Sequence, residues 1–157
     1  MTDTILTARG LKKHFKTSGG SLAKGATVKA VDGVSFDVRR GETFAIVGES
    51  GSGKSTLARV ITGLLPPIDG EVRFHGNSIQ PMLKKRPKEL LRRMQMIYQM
   101  PDTALNPKHK VKKILGRPLN FYFGMSGKER DLRILELLEM IELDETRIIS
   151  KGRLGPG

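Results

Sequence analysis

The sequence predicts an α/β fold, and three observations carry that expectation. The first half alternates apolar and polar residues in short runs, the period of half-buried strands. A continuous apolar run, Thr43–Val47, leads into a glycine-rich loop and then into residues with helical spacing. The second half holds an apolar stripe of helical period at Ile134, Leu137, Leu138 and Ile141.

Taken in order, Thr4–Arg9 reads as a strand that Leu11–Lys16 continues, followed by a flexible Gly- and Ser-rich stretch, Thr17–Ala26. Val28–Val38 alternates, with Val34, Phe36 and Val38 on one face and Ser35 and Asp37 on the other. Arg39-Arg40-Gly41 is a turn. Thr43–Val47 is then expected to be a strand buried on both faces of a parallel sheet. Lys54–Leu65 has helical spacing through Leu57, Val60, Ile61 and Leu64, and Pro66-Pro67 stop it. Asp69-Gly70 turns the chain into a strand, Glu71–Phe74, which His75-Gly76-Asn77 closes. Lys88–Arg93 reads as a short basic helix, Met94–Tyr98 as another buried strand and Pro101–Pro107 as a loop. Lys128–Glu142 is the clearest helix, with Ser126 and Glu129 spaced as a capping box at its start. The tail, Lys151–Gly157, is polar and patternless.

The chain has 157 residues, enough for one ordinary domain with a sizeable core. No apolar run approaches the roughly 20 residues of a spanning helix, and Met1–Arg9 lacks the pattern of a secretory signal. With no cysteine there is no disulfide framework and no thiolate metal site. The expectation is a soluble cytosolic domain. Lys and Arg number 28 against 16 Asp and Glu, a net charge of +12. Eleven of the basic residues fall between Pro81 and Asn120 (Lys84, Lys85, Arg86, Lys88, Arg92, Arg93, Lys108, Lys110, Lys112, Lys113, Arg117), against Glu89 and Asp102. Such a surface attracts nucleic acid, anionic lipid or an acidic partner. No aromatic interleaving or zinc spacing accompanies it, which argues against direct nucleic-acid recognition.

The chemistry concentrates at Gly48-Glu49-Ser50-Gly51-Ser52-Gly53-Lys54-Ser55, which satisfies the P-loop pattern G-x-x-x-x-G-K-[ST]. Glycines at 48, 51 and 53 let the backbone turn its N–H groups inward as a nest for phosphate oxygens. The following helix adds its positive dipole end and free amides. Lys54 is placed to reach the β- and γ-phosphates of ATP, Ser55 to offer a hydroxyl to Mg2+, and Thr56 to support the loop or touch the α-phosphate. The P-loop alone does not choose among kinases, GTPases and transport ATPases.

The flanking residues do. Val31-Asp32-Gly33-Val34-Ser35-Phe36, then Gly41 through Leu57, resemble the ATP-binding subunits of ABC transporters. Met96-Ile97-Tyr98-Gln99-Met100-Pro101 is similar to their Q-loop. Ala104-Leu105-Asn106-Pro107, with Pro118-Leu119, is similar to the oligopeptide/dipeptide importer branch. The resemblance runs from about Thr4 to about Leu143. It implies a partial P-loop NTPase (ABC ATPase) core, with an N-terminal antiparallel β-subdomain and the start of a helical subdomain. It implies one incomplete ATP-binding domain over 1–157, with the β-subdomain and P-loop core at about 4–80 and the Q-loop strand region at about 81–100. The helical subdomain would start at about 101–145, and 146–157 diverge.

By the same resemblance Phe15 stacks on adenine and Val28 lines the ribose or adenine rim. Gln99 coordinates magnesium, approaches the attacking water and relays the nucleotide state. With Lys54 it is the candidate catalytic pair, and with Ser55 the candidate metal pair. The resemblance implies ATP and Mg2+ as cofactors. It implies transmembrane permease subunits and a second ATP-binding subunit as partners, at the cytoplasmic face of the cell membrane. His14, His75 and His109 share no metal spacing and receive no role.

Family members continue with a Leu-Ser-Gly-Gly-Gln signature, an apolar strand ending in Asp-Glu, and a switch histidine, none of which is in this sequence. Met125-Ser126-Gly127-Lys128-Glu129 fits better as a helix cap. The expectation is a truncated or frameshifted subunit that binds nucleotide without hydrolysing it alone. Small peptides lead as the solute, with nickel or another small solute behind. The alternatives are a non-catalytic docking fragment and a basic nucleic-acid binder.

Overall fold

The N-terminal alternation becomes a long antiparallel hairpin. In a computed structural model, which describes residues 3–17, 26–100 and 105–141, β1 (Thr4–Lys16) pairs with β2 (Thr27–Arg39). β3 (Asp69–Phe74) adds to the other edge of β1, and the two-residue β4 (Asn77–Ser78) adds to β3, giving the antiparallel order β2-β1-β3-β4. The alternation of Val34, Phe36 and Val38 with Ser35 and Asp37 is kept, with half-buried apolar positions between exposed polar ones. α1 (Lys54–Thr62) lays Leu57 and Val60 on the sheet residues Ala8, Leu11, Val31 and Val72, all buried. Gly63 ends α1 in the left-handed region. A single 3₁₀ turn (Leu83–Lys85) and the short basic α2 (Lys88–Arg93) follow.

The chain divides into two units, Met1–Met96 and Ile97–Gly157. The second is built on α3 (Val111–Phe123) and α4 (Gly127–Glu139). Leu119, Ile134 and Leu138 are buried between them, with Val111, Leu115, Met125 and Leu137 packed around. α4 thus keeps the predicted stripe over Ile134, Leu137 and Leu138. α3 is a helix that the sequence reading did not predict.

Four expectations are corrected. Thr43–Val47 is not a strand: residues 43–49 carry no ladder, Val47 is 92% exposed, and Phe44 and Ile46 are exposed too. An apolar run becomes a buried parallel strand only when neighbours satisfy its backbone on both edges, and no described strand pairs with it. Its visible anchor is Phe44, whose ring stacks on Phe36 at 4.7 Å. Met94–Tyr98 likewise forms no strand, and Ile97 is 92% exposed. Ser126 occupies the N-cap of α4 but makes no side-chain cap hydrogen bond, so the capping box is not closed. Ile141 lies beyond α4 and is exposed. The Gly/Ser-rich stretch at 18–25, the loop at 101–104 and the tail beyond 141 lie outside the described residues. Among the described residues no helix is long and apolar enough to cross a membrane.

Candidate functional site

The loop at 48–55 is supported by the hairpin and by α1 rather than by a preceding buried strand. Gly51 and Gly53 both take left-handed backbone, at φ 83° and 91°. Gly53 is also the N-cap of α1, and no side chain caps that end. A Cβ on Gly53 would overlap the carbonyl oxygen of Ala30, so glycine alone lets the loop rest on β2 there. Ala30 is the extra residue of a β-bulge: Lys13 pairs with Val31 and His14 with Lys29, leaving Ala30 unmatched. Such bulges bend a strand and re-aim its groups beside functional loops. Gly48 is tight for a different reason, since a Cβ there would lie 2.8 Å from Ser52 Oγ.

Lys54 closes the loop on itself. Its Nζ donates to the carbonyl oxygens of Gly48 and Glu49, each at 2.6 Å, and to Ser52 Oγ at 3.2 Å. The Ser52 amide donates to the Glu49 carbonyl at 3.2 Å, and the Leu57 amide bonds the Gly53 carbonyl at 2.8 Å, starting the helix. An ammonium held on two carbonyls, beside helix amides that lack intrahelical acceptors, concentrates positive potential at the mouth of the loop. Glu49, Ser50, Gly51, Ser52 and Ser55 line the loop at its open side, and Thr56 is half-buried. The Ser55 hydroxyl has no hydrogen-bond partner among the described residues.

The structure gathers most of the predicted site residues into one unit. Phe15 and Val28 face each other as Cα partners across the hairpin. Both are exposed, and Lys13 Nζ stands 5.7 Å from the Phe15 ring centroid. Val28 lies two residues from Ala30, about 7 Å along the strand, so this apolar pair adjoins the loop's resting point on β2. Gln99 is exposed and belongs to the second unit. His14 pairs with Asp32 at 3.1 Å, and His75 contacts Arg93 Nη2 at 2.6 Å. No group of three or more His, Cys, Asp or Glu among the described residues forms a metal-binding cluster.

Sequence reasoning missed Arg86. It is buried at 6% exposure, and burial holds its guanidinium below the ordinary arginine range. Nε donates to the Gln80 carbonyl at 2.7 Å, and Nη1 approaches Met94 Sδ at 3.3 Å. The guanidinium lies against Gly63, where a Cβ would stand 2.8 Å from Cζ. It therefore meets the negative end of the α1 dipole, opposite the phosphate-facing end. The available signal was Gly63 at the helix end, which leaves room for a side chain that only the fold identifies.

Residues 31–154 match the family model for ABC transporters. The chain belongs to this family. It is 38% identical over 141 residues to the di/tripeptide transport ATP-binding protein DppF of Pseudomonas aeruginosa, covering 90% of this chain and 44% of that protein. It is 44% identical over 149 residues to the oligopeptide transport ATP-binding protein OppF of Bacillus subtilis, covering 92% of this chain and 46% of that one. The chain thus spans less than half the length of these relatives. Among solved structures, it superposes with a TM-score of 0.67 and 28% identity on a dimeric, post-hydrolysis ATP-binding cassette, MJ0796, bound to ADP and Pi. That match covers 92% of this chain and 60% of the cassette. A nucleotide-free ABC transporter cassette superposes with a TM-score of 0.61 and 30% identity, covering 97% and 59%. The resemblance read from the P-loop and Q-loop segments, and the partial-cassette fold, are both borne out.

Proposed function

We propose that this chain carries the nucleotide-binding front of the ATP-binding subunit of a peptide importer. The observation that supports it most is the packing of Gly53 on the Ala30 carbonyl, which fixes the P-loop beside the Phe15–Val28 pair. In this reading the adenine ring lies on Phe15 and Val28, and the phosphates lie in the loop over Gly48–Thr56. Lys54 exchanges its bonds to Gly48 and Glu49 for phosphate oxygens, and so couples loop shape to occupancy. The unpartnered Ser55 hydroxyl fits Mg2+, and Gln99, in the second unit, is assigned to that ion by the family resemblance alone. Bound Mg·ATP would supply the phosphoanhydride whose hydrolysis drives transport. Gln99 is assigned to orienting water and relaying the nucleotide state.

These residues suit binding better than turnover. Glu49 is the one carboxylate within the loop, and phosphoryl transfer needs a positioned water as well as charge stabilisation. We assign the chain by itself to nucleotide binding without hydrolysis. Its place is the inner face of the cell membrane, with permease subunits and a second ATP-binding subunit, and small peptides are the preferred solute. The names of the similar proteins, di/tripeptide and oligopeptide transport ATP-binding proteins, support the peptide-transport part of that assignment. Titration with a fluorescent ATP analogue tests it. Binding should be Mg2+-dependent and should fall by roughly 100-fold or more in Lys54→Ala, the loss of a charge-assisted contact to phosphate in a partly dry site. Equal affinity in Lys54→Ala would refute the site. Mg2+-dependent hydrolysis that vanishes in that variant would refute the assignment to binding alone.

A further inference from the structure

A second concentration of positive charge lies in the α3–α4 unit. A cavity of about 910 Å³ opens against α3, and its lining includes Lys108, Lys110, Lys113, Arg117 and Arg130, with Phe121 at the aromatic end. Lys113, Arg117 and Phe121 are four residues apart, so they stand in one row along the helix. All three are exposed. Lys108, Lys110, Lys113 and Arg117 have no acidic partner among the described residues. Lys112 and Arg130 share Asp131, at 2.7 and 3.3 Å.

Arg130 is delivered to this cavity by a gap in α3. Gly116 is buried, and a Cβ there would stand 3.2 Å from Arg130 Cδ. Arg130 Nε is buried with no hydrogen-bond partner. Four cations with no acidic partner around one opening are an arrangement that an anion with several oxygens would satisfy.

We propose that this cavity seats the phosphate of anionic phospholipid headgroups, so that the α3–α4 unit adsorbs directly to an anionic bilayer. Charge complementarity and the aromatic residues choose the occupant. Phe121 is exposed near the C-terminal end of α3, in line with the cationic row. An exposed ring next to lysine and arginine suits the headgroup–acyl boundary, where the ring finds hydrocarbon while the cations find phosphate. A single-stranded nucleic acid would instead need a groove with successive stacking platforms, and the cavity has one aromatic residue in its lining besides His109.

Co-sedimentation of the full chain with vesicles tests this. The protein should pellet with phosphatidylcholine vesicles containing phosphatidylglycerol and stay in solution with phosphatidylcholine alone. Each basic residue near an anionic surface is worth about fivefold in binding, so Lys113→Ala with Arg117→Ala should weaken it roughly 25-fold. Lys108→Ala with Lys110→Ala, outside the helix interior, should do the same, which guards against a folding defect in the first pair. Lys84→Ala with Lys85→Ala removes the same charge from the other unit and should cost less than about fivefold. Equal pelleting with neutral vesicles, or equal losses from the Lys84/Lys85 and Lys113/Arg117 pairs, would overturn the proposal. Displacement by inorganic phosphate beyond that by chloride of matched ionic strength would overturn it in favour of a soluble phosphate compound. Single-stranded RNA binding more tightly than the vesicles, and lost in the same variants, would overturn it in favour of nucleic acid.

Discussion

The P-loop and the α3–α4 cavity both gather positive potential, but from different atoms. In the loop the charge comes from backbone geometry: left-handed Gly51 and Gly53, an uncapped helix start and one lysine folded onto carbonyls. In the cavity it comes from six long side chains, most of them exposed. A backbone site has little redundancy, because each amide is placed by its neighbours' dihedrals. A side-chain site is redundant, because one flexible cation can partly replace another. The first should therefore fail on small steric changes and tolerate salt, and the second should do the reverse.

The sharpest way to break that contrast is a single methyl group. Gly53→Ala forces a left-handed alanine, at about 1–2 kcal/mol, and drives the new Cβ into the Ala30 carbonyl oxygen. The sum should exceed about 3 kcal/mol, and the loop must leave β2 to relieve it. Urea unfolding should show the lost stability, and nucleotide titration should show binding gone. An unchanged midpoint and affinity in Gly53→Ala would mean that the loop does not rest on β2. Gly116→Ala is the matching change in the other unit. It meets the flexible stem of Arg130 at 3.2 Å and should be absorbed by a side-chain shift.

Salt should separate the two sites next. Exposed cations are screened within about 10 Å at moderate ionic strength. Raising salt from low to physiological levels should weaken vesicle binding by more than about tenfold. Nucleotide binding to the loop rests on short, directed N–H contacts and should change by less than about threefold. Parallel titrations on one preparation would decide it, and equal salt slopes would erase the distinction.

The same contrast explains what could be read from the sequence. The P-loop was legible because its spacing is local: glycines, lysine and hydroxyl lie within eight residues of one another. The β1–β2 alternation and the Ile134–Leu138 stripe were legible for the same reason. Thr43–Val47 and Met94–Tyr98 misled because an apolar run states a preference for burial, whereas a strand needs a partner, and that partner is a non-local fact. α3 escaped because Gly116 and Pro118 sit inside it and argue against a helix. Leu115 and Leu119, four apart, were the signal that outweighed them. The Ala30 bulge was not legible, and Gly63 signalled room at the helix end without naming Arg86, since each depends on segments brought together by the fold.

Acid should act on both units alike, with the smallest effect. Asp37 is held below the ordinary carboxylate value of 3.8 by its hydrogen bond from Arg9, and Asp69 by its bond from Lys12. Asp131 is held low by Lys112, which ties α3 to α4. The folded state favours the ionised form of each. Their contribution is therefore fully present above 3.8 and is lost as pH falls through the lower folded values. Asp37 and Asp69 are exposed and Asp131 is half-buried with its carboxylate still open to solvent, so each pair is worth little and salt should reduce it further. Stability followed by urea midpoint should be flat from neutral pH to about pH 5 and decline only below that. Asp37→Asn should lower the midpoint slightly near neutrality and flatten part of the acid decline, because the mutant has no proton to take up at that position. A loss of stability already under way well above pH 5 would place the sensitive groups elsewhere.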